Sequence, residues 1–463
     1  MTLFGTAGIR GPVEDVTPSL ALAVGQAAGE PGQTFVVGRD GRETGPALAA
    51  AMEAGLESAG ADVRRLGQVP TPALAFASRG RRGVMLTASH NPPTDNGIKL
   101  FVDGVEYDSD AERLIDDRIT SEDSRLARWE EWGDSEQLGV LEQYRDAVGN
   151  YVRERFADQP DGNATVSTPL EGLRIAVDCG NGVGALATPQ VLERLGATVV
   201  AINASVDGHF PGRESKPTPE TLTEFSEFLA NADFDLGLAH DGDADRLVVL
   251  GPDGDVIHED TILAVVAAHY TADSDAGDPV VVTTPNASAR IDERVRVAGG
   301  RVERVQLGVL HEGIAREREQ GTEDTEIVFA AEPWKHIHTA FGGWIDGVVS
   351  AAVVAALVAD AGDTATLREP VTERPYRKVS VNCPDAAKAD AMAALETTLP
   401  DAFPGAAVDT EYGIRLEFDD ASWLLVRPSG TEPYIRLYAE SESVDDLVSK
   451  ARSVIETAIE QSQ

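Results

Sequence analysis

Apolar runs followed by glycine-rich turns and then by a 3.6-residue apolar period recur through the first two thirds of the chain. The clearest cases are "TFVVGRDGRETGPALAAAMEAGLESAG" and "LRIAVDCGNGVGALATPQVLERLGA". The β-branched run in each predicts a buried strand, and the Ala/Leu periodicity after it predicts an amphipathic helix. Further predicted strands are "GVMLTAS", "FDLGLAHD", "RLVVLG" and "PVVVTT". Repeated strand–turn–helix units favour an α/β fold with mostly parallel sheets.

The last block has a different pattern. Three predicted strands, "GIRLEF", "SWLLVRP" and "YIRLYAE", precede a final predicted helix, "SVDDLVSKARSVIETAIE". This order favours an antiparallel sheet with helices. Polar, proline-containing stretches at residues 153–172 and 367–382 are expected to be linkers or domain edges. A chain of 463 residues is long enough for roughly three or four domains.

Acidic residues dominate the charge of the chain. Asp plus Glu number 78 against 39 Lys plus Arg, giving a formal charge of -39 that is spread over the whole length. A basic footprint for nucleic acid is therefore not expected. Molar salt screens such self-repulsion, because the Debye length falls to about 3 Å. We therefore expect a protein of a halophilic archaeon, adapted to a salt-rich cytoplasm. The alternative is an ordinary acidic soluble protein.

Cysteine usage and hydropathy bear on the compartment. Cys179 and Cys383 are far apart and belong to no CxxC pair, so neither a disulfide framework nor a thiolate zinc site is expected. The opening "MTLFGTAGIRG" lacks a signal-peptide pattern, and no apolar run reaches the roughly 18 residues that a membrane span needs. We expect a cytoplasmic protein without a membrane partner.

The stretch "AHDGDADRLVVL" places Asp241, Asp243 and Asp245 at alternate positions after a predicted strand. Three hard oxygen donors within five residues suit a small hard cation such as Mg²⁺. An EF-hand is excluded, because Arg246 and Pro252 stand where its glycine and glutamate are required. The alternative is a solvated acidic turn.

A second candidate site is "RPSGTEPYIRLYAE", a turn between two predicted strands. Two guanidiniums, two hydroxyls and free backbone N–H groups suit a phosphate dianion. The alternative is a hairpin whose arginines pair with nearby glutamates. The candidate phosphate-binding residues are Arg427, Ser429, Gly430, Thr431 and Arg436.

The run "GVMLTASHNP" places Ser89 at the carboxyl end of a predicted strand, where open α/β sheets bind ligands. The G-x-S-x-G elbow of hydrolases is absent, and we expect the neighbouring His90 to point elsewhere and to be a weak candidate for a base. Alone, the stretch is typical of an ordinary strand-to-loop junction. Together with an aspartate triad and a phosphate site, Ser89 becomes a candidate phosphoryl carrier.

Four stretches, "FGTAGIRG", "TASHNPPTDNGIK", "DGDADR" and "RPSGTEP", occur in an order and spacing that resemble the α-D-phosphohexomutase family over essentially the whole chain. The resemblance implies a four-domain enzyme with three α/β domains and a C-terminal antiparallel α+β domain. The expected domains are 1–150 with the phosphoserine loop, 151–255 with the metal loop, 256–367 with the sugar-recognition loop, and 368–463 with the phosphate-binding loop.

The family resemblance also implies a mechanism. Ser89 would be phosphorylated at rest and would exchange its phosphoryl group with a sugar monophosphate through a sugar bisphosphate, which also serves as activator. Mg²⁺ would lie on Asp241, Asp243, Asp245 and the phosphoserine. The cations expected around the reacting phosphoryl group are Arg10, Arg39, Lys99 and Arg246, and the phosphate site of the last domain would hold the other phosphate.

One stretch departs from the family pattern. The sugar-reading loop of the family has Gly-Glu-x-Ser-Gly followed by His, whereas this chain reads "AAEPWKHIHTAFGGWIDG". Glu332 and His336 match the sugar-binding glutamate and the candidate acid/base histidine. Trp334 would either stack on a sugar face or anchor the loop against the fold. Lys335 would either meet a phosphate or repel the ammonium of a glucosamine substrate.

The expected function is an intramolecular phosphotransferase that interconverts hexose 1- and 6-phosphates, acting as a monomer or a homodimer on a small sugar phosphate. Phosphoglucosamine is the first sugar expected, because the "FGTAGIRG" opening and the compact "TASHNP" loop resemble the prokaryotic branch of the family. The alternatives are phosphomannose or phosphoglucose, then phosphopentose. A sugar-phosphate phosphatase and a non-catalytic sugar-phosphate-binding protein are the competing classes.

Overall fold

The computed structural model describes residues 3–5, 8–121, 126–156, 168–430 and 432–462. It divides into two compact units. Unit 1 contains the described residues up to Ile262 together with Val328–Arg368, and unit 2 contains Leu263–Ile327 together with the described residues from Glu369 onward.

The first sheet, in unit 1, has the strand order β1-β5-β4-β2-β3-β7, with β6 beside β5. Strands β2, β3, β4 and β7 run parallel, and the β5 strand is antiparallel to both of its neighbours β1 and β4. Its strands are β1 (Ile9–Pro12), β2 (Thr34–Arg39), β3 (Asp62–Gln68), β4 (Arg82–Leu86), β5 (Asp95–Val102), β6 (Val105–Glu106) and β7 (Ser135–Gln137). Its helices are α1 (Pro18–Ala28), α2 (Gly45–Ser58), α3 (Thr71–Ala77), α4 (Ser109–Thr120) and α5 (Leu141–Phe156).

The core of this first layer follows the apolar period of the sequence. Phe35 and Val37 of β2 point to the same face as the buried side of α2, which supplies Leu48, Met52 and Leu56. Alternation in the strand and 3.6-residue spacing in the helix bring these side chains together. The packing holds the carboxyl ends of β2 and β4 at one edge of the sheet, where the serine-containing loop begins.

The second sheet, also in unit 1, has the order β11-β10-β8-β9. Strands β8, β9 and β10 are parallel, and β11 is antiparallel to β10. The elements are β8 (Arg174–Asp178), α6 (Thr188–Arg194), β9 (Thr198–Ile202), α7 (Thr223–Ala230), β10 (Leu236–Ala239) and β11 (Val248–Leu250). Because β10 and β11 form a hairpin-like pair, the residues between them are held at the end of β10.

The next strands are divided between the units, with β12 and β13 in unit 2 and β15 in unit 1. Strands β12 and β13 pair in parallel, and β14 and β15 form an antiparallel hairpin. The elements are α8 (Glu259–Ala272), β12 (Asp278–Thr283), α9 (Ala289–Val297), β13 (Arg301–Arg304), α10 (Leu310–Gln320), β14 (Thr325–Glu332), β15 (Lys335–Ile337), α11 (Gly347–Ala361) and α12 (Thr364–Arg368). Helix α11 is buried over twelve consecutive residues, Gly347–Val358.

The C-terminal sheet, in unit 2, is antiparallel throughout, in the order β16-β20-β19-β18-β17. Two long helices pack on one face of it, with Leu395 and Ile455 in the shared core. The elements are β16 (Tyr376–Asn382), α13 (Asp385–Ala402), β17 (Ala407–Asp409), β18 (Ile414–Glu417), β19 (Trp423–Pro428), β20 (Tyr434–Glu440) and α14 (Val444–Gln461).

The fold class expected from the sequence is confirmed: the chain combines mixed α/β layers with a C-terminal antiparallel sheet. Cys179 and Cys383 are buried and unbridged. None of the helices among the described residues is long and apolar enough to cross a membrane. Part of the predicted linker, residues 157–167, lies outside the described residues.

Candidate active site

The serine loop, residues 87–97, leaves the carboxyl end of β4. Ser89 adopts the left-handed backbone conformation, with φ 51°, and its N–H donates to Thr87 Oγ1 at 2.9 Å. Its side chain is fully buried, and Oγ donates to Asp241 Oδ2 at 2.6 Å. The loop therefore aims the hydroxyl of Ser89 at the first aspartate of the triad, which lies on a different sheet.

The aspartate triad follows β10. All three carboxylates are buried, and one oxygen of each lies within 4.8 Å of the others. Oδ1 of Asp243 and Oδ1 of Asp245 are buried without a hydrogen-bond partner among the described residues. Orphaned carboxylate oxygens that converge in this way fit a hard cation, which would complete them as ligands.

The triad loop and the serine loop are in close contact. A Cβ on Gly242 would lie 2.8 Å from the carbonyl oxygen of Ser89 and 2.7 Å from Ser215 Oγ. A larger residue at this position would push the two loops apart. The glycine within "DGDADR" is thus required by the approach of the serine loop as well as by the turn itself.

The triad carboxylates differ in protonation. Burial, together with the charges of Asp245 and Asp243, raises the pKa of Asp241 well above its ordinary value. Burial acts on Asp245 in the same direction, but the charges of Lys99, Lys335 and Arg246 outweigh it and hold the pKa of Asp245 well below its usual range. Without a bound cation, the site therefore favours a proton at Asp241.

Three predicted cations surround the triad. Lys99 on β5 is buried, and its Nζ lies 3.1 Å from Asp245 Oδ2 and 3.8 Å from Asp243 Oδ2. The Arg246 guanidinium lies 3.7 Å from Asp241 Oδ2. Nε and Nη2 of Arg10 on β1, and Nε of Arg246, are buried without a hydrogen-bond partner among the described residues. These unfilled donors suit an oxyanion such as a phosphoryl group.

His90 lies closer to the serine than the sequence predicted. Its Nδ1 is 3.3 Å from Ser89 Oγ, so the expectation that the ring points elsewhere is wrong. The left-handed turn at Ser89 brings the two adjacent side chains to the same side. Burial, with the charges of Arg246 and Arg10, lowers the pKa of His90 to about 2. The ring is therefore neutral near pH 7. Arg39 was also expected near the reacting phosphoryl group. In the structure its guanidinium donates to the main-chain carbonyl of Asp40 at 3.2 Å.

The sugar-loop hairpin, residues 332–338, joins β14 to β15 and pairs Glu332 with Lys335. Trp334 has φ 67°, and its carbonyl accepts from Leu247 N–H at 3.0 Å. Its indole packs against the buried cluster that contains Phe225 and Leu250. The packing favours the anchoring interpretation of Trp334. Lys335 is buried and close enough to affect the pKa of Asp245.

His336 is fully buried in a polar cluster at the start of α11. Its Nδ1 lies 3.1 Å from Ser350 Oγ, and His338 Nε2 lies 2.9 Å from the same oxygen. Burial lowers the pKa of His336 to about 4. Asp346 caps α11 by accepting from the N–H groups of Val348 and Val349. The cluster fixes His336 as a neutral ring, and its acid/base role stays a prediction.

The phosphate turn, residues 427–436, belongs to unit 2. Arg427 on β19 and Arg436 on β20 are cross-strand partners, and Nε of each is buried without a partner among the described residues. Arg436 pairs with Glu432, as the alternative hairpin interpretation expected of the arginines. The turn closes through Ser429 N–H and the carbonyl of Tyr434 at 2.9 Å. Gly430 has open space around it, and Thr431 lies outside the described residues.

Several polar residues at these sites were not predicted. Thr71 donates to Asp243 Oδ2 at 2.7 Å, and Glu106 lies 3.6 Å from Lys99. Lys388 on α13 donates to the carbonyls of Ser429 and Glu432 at 2.8 and 2.6 Å. Each lies outside the four family motifs, so no local sequence pattern indicated that it would be near a site.

Comparisons with known proteins agree with this geometry. Models of the phosphoglucomutase/phosphomannomutase family match residues 1–126 (α/β/α domain I), 151–254 (α/β/α domain II) and 379–456 (C-terminal domain). A phosphopentomutase of Thermococcus kodakarensis is 39% identical over 100% of both chains. A probable phosphoglucosamine mutase of Methanopyrus kandleri is 42% identical over 95% of this chain and 94% of that protein.

A solved structure is also similar. The phosphoglucomutase/phosphomannomutase family protein of Burkholderia thailandensis superposes with a TM-score of 0.83 at 26% identity, covering 100% of this chain and 97% of that chain. Sequence and fold thus agree over essentially the full length. The chain belongs to the α-D-phosphohexomutase family and is an isomerase of the intramolecular phosphotransferase type.

Proposed function

We propose that the enzyme interconverts the 1-phosphate and the 6-phosphate of a hexose through phospho-Ser89 and a sugar bisphosphate. The observation that supports this most directly is the 2.6 Å hydrogen bond from Ser89 Oγ to Asp241. It places a hydroxyl within the cluster of orphaned carboxylate oxygens and orphaned guanidinium donors. This arrangement suits a phosphoryl group that is held on a serine beside a divalent cation.

Each half-reaction exchanges one P–O bond for another. The free hydroxyl oxygen of the sugar phosphate bonds to phosphorus as the Ser89 Oγ–P bond breaks, and the proton of that hydroxyl passes to a base, for which His336 is the predicted candidate. Ser89 is then ready to take the other phosphoryl group from the bisphosphate. Arg10 and Arg246 would hold the equatorial oxygens during transfer.

Asp241, Asp243, Asp245 and the phosphorylated Ser89 would hold Mg²⁺. When bound, the ion supplies positive charge that offsets the charge developing on the phosphoryl oxygens. In its absence a proton at Asp241 and the charges of Lys99 and Arg246 offset the repulsion among the three carboxyl groups. Arg427, Ser429 and Arg436 would bind the phosphate that does not react.

Phosphoglucosamine is the first substrate to test. It is supported by the Methanopyrus kandleri relative, a probable phosphoglucosamine mutase, and by further archaeal relatives of the same name that align over almost the whole chain. Phosphopentose is the second candidate. It is supported by the name of the Thermococcus kodakarensis relative and by Lys335, whose positive charge near Asp245 would oppose the ammonium of glucosamine.

The test is ³¹P NMR of the purified enzyme in molar KCl with Mg²⁺ and a catalytic amount of sugar bisphosphate. Glucosamine, mannose, glucose and pentose 1-phosphates are offered separately. We expect the phosphate signal to move to the terminal carbon of one sugar. Release of inorganic phosphate faster than isomerisation would indicate a phosphatase instead, and binding without turnover of any sugar would indicate a non-catalytic protein.

Two serine variants test the carrier. Ser89→Ala should abolish turnover and leave the melting temperature within a few degrees of the wild type. Ser58→Ala is the matched control, because Ser58 is also buried but donates to a helix carbonyl, Gly55. Full activity of Ser89→Ala would exclude Ser89 as the carrier. Size-exclusion chromatography of the same samples distinguishes the two expected states, a monomer and a homodimer. Fractionation of the source cells checks the expected cytoplasmic location.

A further inference from the structure

Arg42 lies between β2 and α2 and is fully buried. Its Nε is 3.0 Å from Asp40 Oδ2, and its own N–H donates to Asp40 Oδ1 at 3.0 Å. Asp40 also accepts from Thr87 Oγ1 at 2.7 Å. A buried carboxylate thus fixes the orientation of the guanidinium plane and balances its charge.

The Nη1 and Nη2 groups of the same guanidinium contact the serine loop. Nη2 donates to the carbonyls of Ser89 at 3.0 Å and Asn91 at 2.8 Å, and Nη1 donates to that of Asp95 at 2.8 Å and to that of Pro92. One side chain therefore binds four main-chain oxygens within seven residues. The planar guanidinium has five N–H donors and can bind all four oxygens while it also pairs with Asp40. A lysine ammonium has three donors on a single atom and cannot replace it.

The loop needs such support, because Ser89 is held in a conformation that non-glycine residues disfavour. A φ of 51° in a serine costs on the order of 1 kcal/mol relative to extended backbone. The Ser89 carbonyl accepts from Arg42 and also from Ser215 Oγ at 2.9 Å. These two bonds fix the peptide that follows Ser89, and with it the direction of the Oγ atom.

We infer that Arg42 is a positioning residue for phosphoryl transfer, which sets the position of Ser89 Oγ in both half-reactions. This inference rests on the proposed role of Ser89 as carrier. Because Asp40 pairs with the guanidinium at full burial, the effect of Arg42 is geometric and its charge is not directed at the phosphoryl group. Ser215 shares this role through its single hydrogen bond.

Arg42→Lys keeps the charge beside Asp40 and removes most bonds to the loop. A displacement of the reacting atom by about 1 Å can reduce the rate roughly 100-fold, so we expect kcat to fall by about that factor. KM should stay within about threefold, because no substrate contact changes. Ser215→Ala removes one of the two bonds to the Ser89 carbonyl and should lower kcat by about fivefold.

Arg118→Met is the matched control. Arg118 also bonds a carbonyl, that of Ala27, and pairs with Glu30, but it lies on α4, away from the serine loop. It should lose thermal stability without losing kcat. Intact mass after incubation with sugar bisphosphate reports how much Ser89 is phosphorylated. We expect slower phosphorylation in Arg42→Lys and a normal rate in Arg118→Met.

Arg42→Lys with kcat within threefold of the wild type would overturn the inference, as would a loss confined to KM. If Arg42→Lys does not fold, Ser215→Ala decides, and an unchanged kcat in that folded variant overturns the inference. Ser89→Ala separates the two claims. If it is inactive while Arg42→Lys is normal, only the positioning role fails. If it is active, the carrier proposal fails and Arg42 has nothing to position.

Discussion

The two predicted phosphate-handling regions are built differently. Around the serine loop, the charged groups are buried and bonded to one another, as in Lys99 with Asp245 and Arg42 with Asp40. In the phosphate turn, Glu432 is half exposed where it pairs with Arg436, and the strands contribute orphaned Nε atoms. Both regions keep guanidinium donors without hydrogen-bond partners, but the ion pairs of the serine side are buried, whereas the ion pair of the turn is open to solvent.

This difference matches the two tasks in the proposed mechanism. Bond making and breaking at Ser89 requires atoms held to within a fraction of an ångström, and a buried network provides that rigidity. The phosphate turn would bind the phosphate that does not react, which is a different phosphate of the sugar in each of the two orientations of the bisphosphate. Changes on the serine side should therefore lower kcat, and changes in the turn should raise KM.

The largest effect is expected from Asp241→Asn. It removes a predicted metal ligand and the acceptor of Ser89 Oγ, so turnover should fall by about 1,000-fold or more. The free energy of unfolding without Mg²⁺ should change little, because Asp241 already favours its neutral, protonated form there. At a free Mg²⁺ concentration of 100 times Kd, the free energy of unfolding of the wild type should rise by about 2.7 kcal/mol. Asp241→Asn should not show this rise.

Asp207→Asn is the control for this experiment. Asp207 belongs to a second group of possible ligands, with Glu43 and His209, whose members are exposed or only half buried. The variant should keep both activity and the Mg²⁺-dependent rise in melting temperature. A full Mg²⁺-dependent rise in Asp241→Asn would contradict the assignment of the triad as the metal site.

Acid should weaken the serine side through its buried histidines. Burial lowers the pKa of His240 to about 4, while the unfolded chain titrates near 6.5. Below about pH 6.5 the unfolded chain binds a proton at His240 that the folded enzyme does not bind. The free energy of unfolding therefore falls as the pH drops toward 4. The loss is about 1.4 kcal/mol per pH unit for each such histidine, or about 3 kcal/mol over the window.

Denaturant titrations between pH 4 and 7 test this. His240→Asn should show a shallower decline of stability with acid, by about one proton. His209→Asn is the control, because the His209 side chain is 72% exposed, and it should follow the wild type. Equal slopes for the wild type and His240→Asn would show that folding does not lower the pKa of His240.

Sequence alone located the groups that lie in continuous motifs. Ser89, the aspartate triad and the phosphate turn each occupy a few adjacent positions. The three C-terminal strands and the last helix were also predicted, and they correspond to β18, β19, β20 and α14. The predicted strand "GVMLTAS" ends earlier, at Leu86, because the left-handed turn at Ser89 breaks the extended backbone. The domain boundaries and the adaptation to high salt stay predictions.

The supporting residues could not be predicted, because they approach the motifs only through the tertiary fold. Arg42 is 47 positions from Ser89 and Ser215 is 126 positions from it. Lys388 reaches the phosphate turn from another element, α13. A lone arginine, serine or lysine outside a motif gives no sign of its partner. Motifs therefore indicate candidate reacting groups, and the fold determines which residues hold them.

Arg427→Lys tests the turn directly. A guanidinium can bind a phosphate with two parallel hydrogen bonds, and an ammonium cannot. Loss of one charged hydrogen bond is worth roughly 1.5–3 kcal/mol, so KM should rise at least tenfold while kcat stays within about threefold. Arg377→Lys, on β16 of the same sheet and 51% exposed, should change neither. A fall in kcat at unchanged KM would mean that the turn acts on the transferring phosphate.

The smallest effect is expected from Trp334→Phe. The indole packs on the buried cluster with Phe225 and Leu250, so the variant should lose about 1 kcal/mol of stability from reduced burial. Its KM for the preferred sugar phosphate should stay within about twofold. Trp129→Phe, at a position that is 82% exposed, should change neither stability nor KM. A rise in KM of fivefold or more at unchanged stability would place the indole on the sugar. The sugar-loop hairpin would then share the adaptability of the phosphate turn, and its departure from the family pattern would be a determinant of specificity.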